Sequence, residues 1–287
     1  MRVTVSTMLA RTILTRTSGY LRDVSSHSLQ PYRGCSFGQS LCGVGCYVQH
    51  NRFITKGLPW GSFVVAKTNA AELYARDVEN ERAYANRHGR EFGIFMSSST
   101  DPFLPHEARF GITTAVLRAM LDAPPEFLIL QTHTHLIVDA IGLIEALSRR
   151  TRLRVHLSIE SDLASLPGLP APPSPVSNRL QTAMTFRKRG IRTVVTVAPL
   201  LPIENPKNFF SRIRNCADTV ILDHYIGGDG SSTGSRTLRT KLPEAMTQLL
   251  PASISLEYQD QMVSIARDIM PGRVGVGIDG FAGRLLD

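Results

Sequence analysis

The stretch "EFLILQTHTHLIVDAIGLIEALSRRTRLRVHLSIES" (126–161) decides how the rest of the chain is read. Its residues 127–130 are apolar on both faces of an extended segment, as in a strand buried under helices on one side and a core on the other. The polar run "QTHTH" (131–135) ends that strand. "VDAIGLIEALSRR" (138–150) then carries apolar residues at three-and-four spacing and predicts a helix. "LRVHLSIES" (153–161) returns to a strand and again ends polar. Strand, helix and strand in this order make a βαβ unit with parallel strands and a right-handed crossover.

The unit recurs outward in both directions. "GSFVVAK" (61–67), "EFGIFMSSS" (91–99), "IRTVVTVAP" (191–199) and "DTVILDHY" (218–225) predict further strands. Helices are predicted between them at 69–89, 105–123, 174–190 and 206–217, the first with Asn69 as N-cap and Gly89 at its end. About six such units suit a full or partial barrel. The polar runs "SSSTDPF", "QTHTH", "SIESD", "APLLP" and "LDHY" all follow successive strands, at the mouth where barrels build sites. An open sheet would gather them at one switch point. The expected fold is therefore α/β, a partial (β/α)6 TIM-like barrel. Residues 1–24 form an N-terminal arm, 25–226 the barrel core, and 227–287 a C-terminal extension packed on it.

With 43% hydrophobic and 20% charged residues, the 287-residue chain has the composition of a well-buried globular core. No apolar run is long enough to span a bilayer. The arginines at 2, 11, 16 and 22, with no acid among the first 22 residues, faintly resemble a transit peptide; a basic arm is preferred. The net charge of +8 favours anionic partners such as nucleic acid without requiring them. The basic run "RKRGIR" (187–192) is expected at a helix C-terminus, where cations complement the dipole. The loop "GGDGSSTGSR" (227–236) lacks the lysine of a P-loop and reads as flexible.

Three of four cysteines, Cys35, Cys42 and Cys46, fall within "PYRGCSFGQSLCGVGCYVQHN" (31–51), with His50 close behind. That is no disulfide framework, and metal binding in a reducing, cytoplasmic compartment fits better. Two metals suit the pattern. With His50 the set approaches a CCCH zinc finger of the kind that binds RNA. Three thiolates on a four-iron cluster would instead leave one iron open. The lone Cys216 reads as a core residue.

The surroundings of the cysteines resemble the radical S-adenosylmethionine (SAM) superfamily, and within it the spore photoproduct lyase-like branch. The resemblance runs from about residue 14 to 226. It rests on "TSGYLRDVSSHSLQPYRGC", "SSSTDPFLPHE", "LILQTHTHLIVDAIGLIEAL", "VHLSIES" and "RLQTAMTFRKRGIRTVVTVAPLLP". The cysteine spacing, C-x6-C-x3-C, is wider than the superfamily's usual C-x3-C-x2-C. Gly45 stands where an aromatic residue usually precedes the third cysteine, and Tyr47 follows it.

The resemblance implies a lyase- or oxidoreductase-type enzyme with a [4Fe–4S] cluster on Cys35, Cys42 and Cys46. S-adenosyl-L-methionine on the open iron would yield a 5′-deoxyadenosyl radical. It also implies a low-potential electron donor of flavodoxin or ferredoxin type, and a substrate for which DNA or RNA is a candidate. Ser98, Ser99, Thr100 and Asp101 would then hold the amino group of SAM. Ser158 and Glu160, which share a strand face, would hold its ribose or sulfonium end, with Arg179 nearby. Tyr47 and the carbonyls around Ala198 and Pro199 would meet the adenine.

A third reading takes His133 and His135, with Asp223 and His224, as the metal set of a hydrolase barrel. It leaves the cysteines without a role.

Overall fold

In the computed structural model, which describes residues 2–96 and 98–287, the strands fall into two sheets. Along the chain they are β1 (Thr4–Met8), β2 (Leu14–Arg16), β3 (His27–Leu29), β4 (Tyr32–Gly34), β5 (Phe63–Lys67) and β6 (Gly93–Met96). There follow β7 (Phe127–Thr132), β8 (Arg152–Ser158), β9 (Thr193–Val197), β10 (Thr219–Leu222) and β11 (Val274–Val276). The large sheet runs β11-β10-β9-β8-β7-β6-β3-β2, and the small one β1-β5-β4. In the large sheet each neighbouring pair from β3 to β11 is parallel, and only β2 joins antiparallel. With helices outside, this is a partial TIM barrel.

The barrel is the expected one, but its strand set differs. "GSFVVAK" forms β5, yet β5 pairs with β1 and β4 in the small sheet instead of the barrel. Short apolar β-branched runs read alike whichever sheet accepts them, so pattern alone could not choose. The place is taken by β3, which pairs with β6 and holds the polar His27 and Ser28. β3 and β11 are three residues each, too short to show a period. In the expected strand 91–99, Ser97 lies outside the described residues.

The helices Ala70–Arg87, Ile112–Asp122, Ile141–Ser148, Val176–Lys188 and Pro206–Cys216 cover the outer face. In the first, Leu73, Tyr74, Val78 and Ala85 make the buried stripe. Asn69 stands at its N-cap position, but its side chain bonds Ala10 on both N (2.8 Å) and O (3.0 Å), tying in the N-terminal segment. The helix Leu256–Ile269 packs beside Pro206–Cys216, and the short helix Gly277–Ala282 sits against β10 and β11.

Inside the barrel, the inward residues Phe95, Ile129, Val194 and Ile221 form an apolar plug completed by Val24 and Phe281. Burying a phenylalanine such as Phe281 contributes about 2–3 kcal/mol. Above this plug the interior becomes polar, toward the C-terminal ends of the strands.

Candidate functional site

β4 delivers the chain to Cys35, which is buried and caps a 3-10 turn, Ser36–Gln39. A short helix, Leu41–Gly45, follows; it carries Cys42 and ends at Cys46. Cys42 lies within the short helix and Cys46 is its extended C-cap residue four positions on, and the two thiols share one electrostatic neighbourhood. The wide first spacing is thus an added 3-10 turn, and glycines make room for it. A Cβ on Gly43 would stand 2.0 Å from Phe37 O, and one on Gly38 2.1 Å from Gly61 Cα. The loop is therefore pressed against itself and against the segment entering β5.

All three cysteines are free thiols in an environment that resists ionisation. Burial pushes Cys35 up to about 12, partly offset by the backbone N–H groups of Phe37 and Asp101. Cys46 is pushed up to about 11 by burial, offset by the N–H groups of Val48 and Gln49. Cys42 is raised well above the ordinary thiol value by burial, then by Cys46, Cys35, Glu160 and Asp101. The three sulfurs and two carboxylates thus share one electrostatic neighbourhood. A bound metal reverses such a balance, because its charge deprotonates a coordinating thiol.

His50 is not part of this set. It turns toward Arg239, whose charge adds to burial in lowering its pKa, and its Nε2 has no hydrogen-bond partner among the described residues. Among the described residues no three His, Cys, Asp or Glu side chains converge as ligands of a single ion. A four-iron cluster makes no such demand, because its thiolates bind separate corners. The donor set, one buried and two half-buried thiols beside uncommitted acceptors, fits such a cluster with one open iron.

Those acceptors come from the next strand ends. Glu160 pairs through Oε2 with Arg179 Nη1 at 2.7 Å, while its Oε1 has no hydrogen-bond partner among the described residues. Arg179 is 1% exposed and also donates to Ser158 O, so it is a buried strut and not a surface helix charge. Ser158 Oγ is fully buried beneath Glu160, where it accepts from Gln131 Nε2 at 2.7 Å and meets Thr196 Oγ1 at 3.1 Å.

Asp101 accepts from Thr132 Oγ1 (2.8 Å), His133 N (2.7 Å) and Phe103 N (2.9 Å), which pins the end of β6 to that of β7. Ser98 accepts from Gln30 Nε2 at 2.9 Å, and the buried Thr100 Oγ1 has no hydrogen-bond partner among the described residues. Ser99 is half-buried beside them. Pro199 follows a cis peptide at the end of β9. Tyr47, half-buried and pushed up to about 12 chiefly by burial, lies near Cys46, Asp223 and Arg236.

The four residues of the hydrolase reading do not meet. His133 stands between Asp101 (3.7 Å) and Glu160 (3.6 Å). His135 Nδ1 contacts Ser174 Oγ at 2.6 Å, and His224 contacts Ser253 O through Nε2 and accepts from Ile226 N. The loop 227–236 is neither free nor a phosphate cradle. It is folded around Asp229, whose carboxylate takes the N–H groups of Ser231 and Thr237.

Comparison with solved structures places this geometry. Spore photoproduct lyase complexed with dinucleoside spore photoproduct superposes with a TM-score of 0.61 at 13% identity, over 95% of this chain and 81% of that one. A cysteine-to-serine mutant of spore photoproduct lyase gives 0.60, with the same identity and coverage. The fold is that of spore photoproduct lyase. No family model matches the chain, and no curated protein does.

On this spore photoproduct lyase fold, the cysteine loop, Asp101, Ser158, Glu160 and Arg179 gather at the C-terminal mouth of the barrel. Sequence reading missed Tyr20, whose hydroxyl donates to Asp223 Oδ2 at 3.0 Å from 203 residues away. It also gave no role to Gln131, which links Ser158 and Thr196 (2.7 and 3.1 Å) under the mouth. The polar run opening at Gln131 was a signal for the second; a lone tyrosine in an N-terminal arm offered none for the first.

Proposed function

We propose that the protein is a radical SAM enzyme, with a [4Fe–4S] cluster on Cys35, Cys42 and Cys46. One observation carries the reading: three reduced cysteines in one loop at the barrel mouth, Cys35 buried and Cys42 and Cys46 half-buried, coupled to Asp101 and Glu160. Bound there, the cluster and S-adenosyl-L-methionine would supply reductive C–S cleavage and a 5′-deoxyadenosyl radical, on an electron from a low-potential flavodoxin or ferredoxin.

The chain's own residues have the complementary tasks of binding, orientation and water exclusion. Glu160 Oε1 and Thr100 Oγ1, both buried and without a hydrogen-bond partner among the described residues, are acceptors for the ammonium and hydroxyl groups of the cofactor. Arg179 holds Glu160 in place from below. Ser98 and Asp101 shape the rim on one side, and Tyr47 and Pro199 supply flat surfaces for the adenine. The net charge of +8 favours a polyanionic substrate, and we extend the proposal to DNA or RNA in the cytoplasm.

Anaerobic purification tests the core of this. The expected result is a brown protein absorbing near ~400 nm, as iron–sulfur clusters do, colourless as Cys42→Ala, that releases 5′-deoxyadenosine from SAM on reduction. A colourless wild-type protein holding one zinc would overturn it. Stimulation of 5′-deoxyadenosine release by single-stranded DNA or RNA checks the substrate class.

A further inference from the structure

The N-terminal end of the barrel, opposite the cysteines, carries a second polar constellation that the proposed chemistry does not use. The inward positions at the start of β8, β9 and β10 are Arg154, Arg192 and Thr219, around a cavity of about 40 Å³. The far wall is the segment after β11, through Gly280, Gly283 and Leu285. Gly283 lies so close that an added Cβ would come within 2.7 Å of Arg154 Nη1.

Arg154 is half-buried, and among the described residues it has no carboxylate or hydrogen-bond acceptor. Burial, then the charges of Arg192 and Arg152, lower its pKa to about 10. Arg192 contributes one contact, Nη2 to Thr219 Oγ1 at 3.2 Å. Acids at this end are committed elsewhere. Asp218 takes Thr193 N (2.8 Å) and Arg187 (3.2 Å), Glu91 takes Arg152 (2.6 Å), and Asp279 takes Arg284.

Two guanidinium groups line this cavity, one half-buried and without a carboxylate among the described residues, and an anion between them relieves their mutual repulsion. A guanidinium presents paired N–H donors that match the oxygens of a phosphate. A water needs about 10–15 Å³ of such volume, so the cavity takes a tetrahedral oxoanion and excludes a large organic body. We propose that this is a phosphate site, with Arg154 and Arg192 as the charged donors and Thr219 Oγ1 as the third contact. A phosphate there also ties the segment 280–285 to β8–β10.

The test is calorimetric titration of the anaerobically purified full chain with inorganic phosphate, at ionic strength matched with sodium chloride. A parallel arm uses glycerol phosphate. The expected result is saturable one-to-one binding, weakened at least about tenfold, the equivalent of one lost charged contact, in Arg154→Gln and in Arg192→Gln. Equal binding in the two arms assigns the site to phosphate monoesters as well; binding of inorganic phosphate alone assigns it to the free ion. Arg192 is exposed, so Arg192→Gln reads the site even if Arg154→Gln fails to fold. Bound phosphate should raise the wild-type melting temperature with concentration, and the same shift in Arg192→Gln should need at least about tenfold more phosphate. No binding to wild type, or unchanged binding in Arg192→Gln, overturns the proposal. Neither result bears on the cluster.

Discussion

Glu160 and Arg179 form a buried ion pair at 2.7 Å that leaves Glu160 Oε1, 3.6 Å from His133 Nε2, without a hydrogen-bond partner among the described residues at the barrel mouth. Such a pair is a weak source of net stability, but removing one member strands the other's charge. Arg179→Met should therefore destabilise the fold by about 3–5 kcal/mol. The double variant Glu160→Gln/Arg179→Met should recover most of that loss while still failing to bind SAM. Urea denaturation across the cycle, with SAM titration of each member, checks both halves.

The cysteines should divide three to one. Cys35→Ala and Cys46→Ala should lose bound iron and sulfide, as expected for Cys42→Ala. Cys216 is buried on the helix Pro206–Cys216, where its thiol contacts only Ile213 O at 3.5 Å in hydrogen-bonding range. Cys216→Ala should keep full iron and sulfide. Metal analysis of the four variants decides.

Gly43→Ala should act like a cluster mutation without touching a ligand. Its Cβ would collide with Phe37 O at 2.0 Å and Gly38 Cα at 2.2 Å, both backbone, so the loop must shift. The expected outcome is loss of the brown chromophore with circular dichroism of the barrel retained. Gly57→Ala, which adds a Cβ with nothing within 4 Å, is the comparison; its positive φ costs some stability but should spare the cluster.

Asp223 should contribute a loss of stability as pH rises from about 4 to about 7. The buried His27, His156 and His224 contribute in the opposite sense, because their lowered pKa values favour folding as pH rises. Burial raises this carboxyl to about 7, against the partial relief of the Tyr20 hydrogen bond. The unfolded value is about 3.9. Between the two, the folded state holds a proton that the unfolded state has released, so raising the pH favours unfolding. Below the lower value and above the upper one the effect is flat. Asp223→Asn should therefore melt higher than wild type at pH 8 and nearly level with it at pH 4. Parallel profiles for the two proteins would contradict this.

What the sequence reveals follows from how local each signal is. Five predicted barrel strands, β6 to β10, are long enough, or flanked clearly enough by helices, to be read from period and polarity. β3 and β11 are not, because three residues have no period and are strands only through the neighbours that accept them. β5 shows the converse: its apolar run identifies a strand but not which sheet it joins. At the site, Cys35, Cys42, Asp101, Glu160 and Arg179 are legible and share one neighbourhood. That Arg179 is a buried strut, and that Tyr20 reaches Asp223, depends on contacts distant in sequence that no spacing encodes.

Phe281 closes the interior of the barrel from below, yet it lies about sixty residues beyond β10. During synthesis, the strands carrying Ile129, Val194 and Ile221 leave the ribosome well before the side chain that covers them. The nascent barrel thus passes through a period with a wet, apolar lower opening. Slowing translation between residues 225 and 281 should lengthen that exposure and make the unfinished chain a client of folding factors.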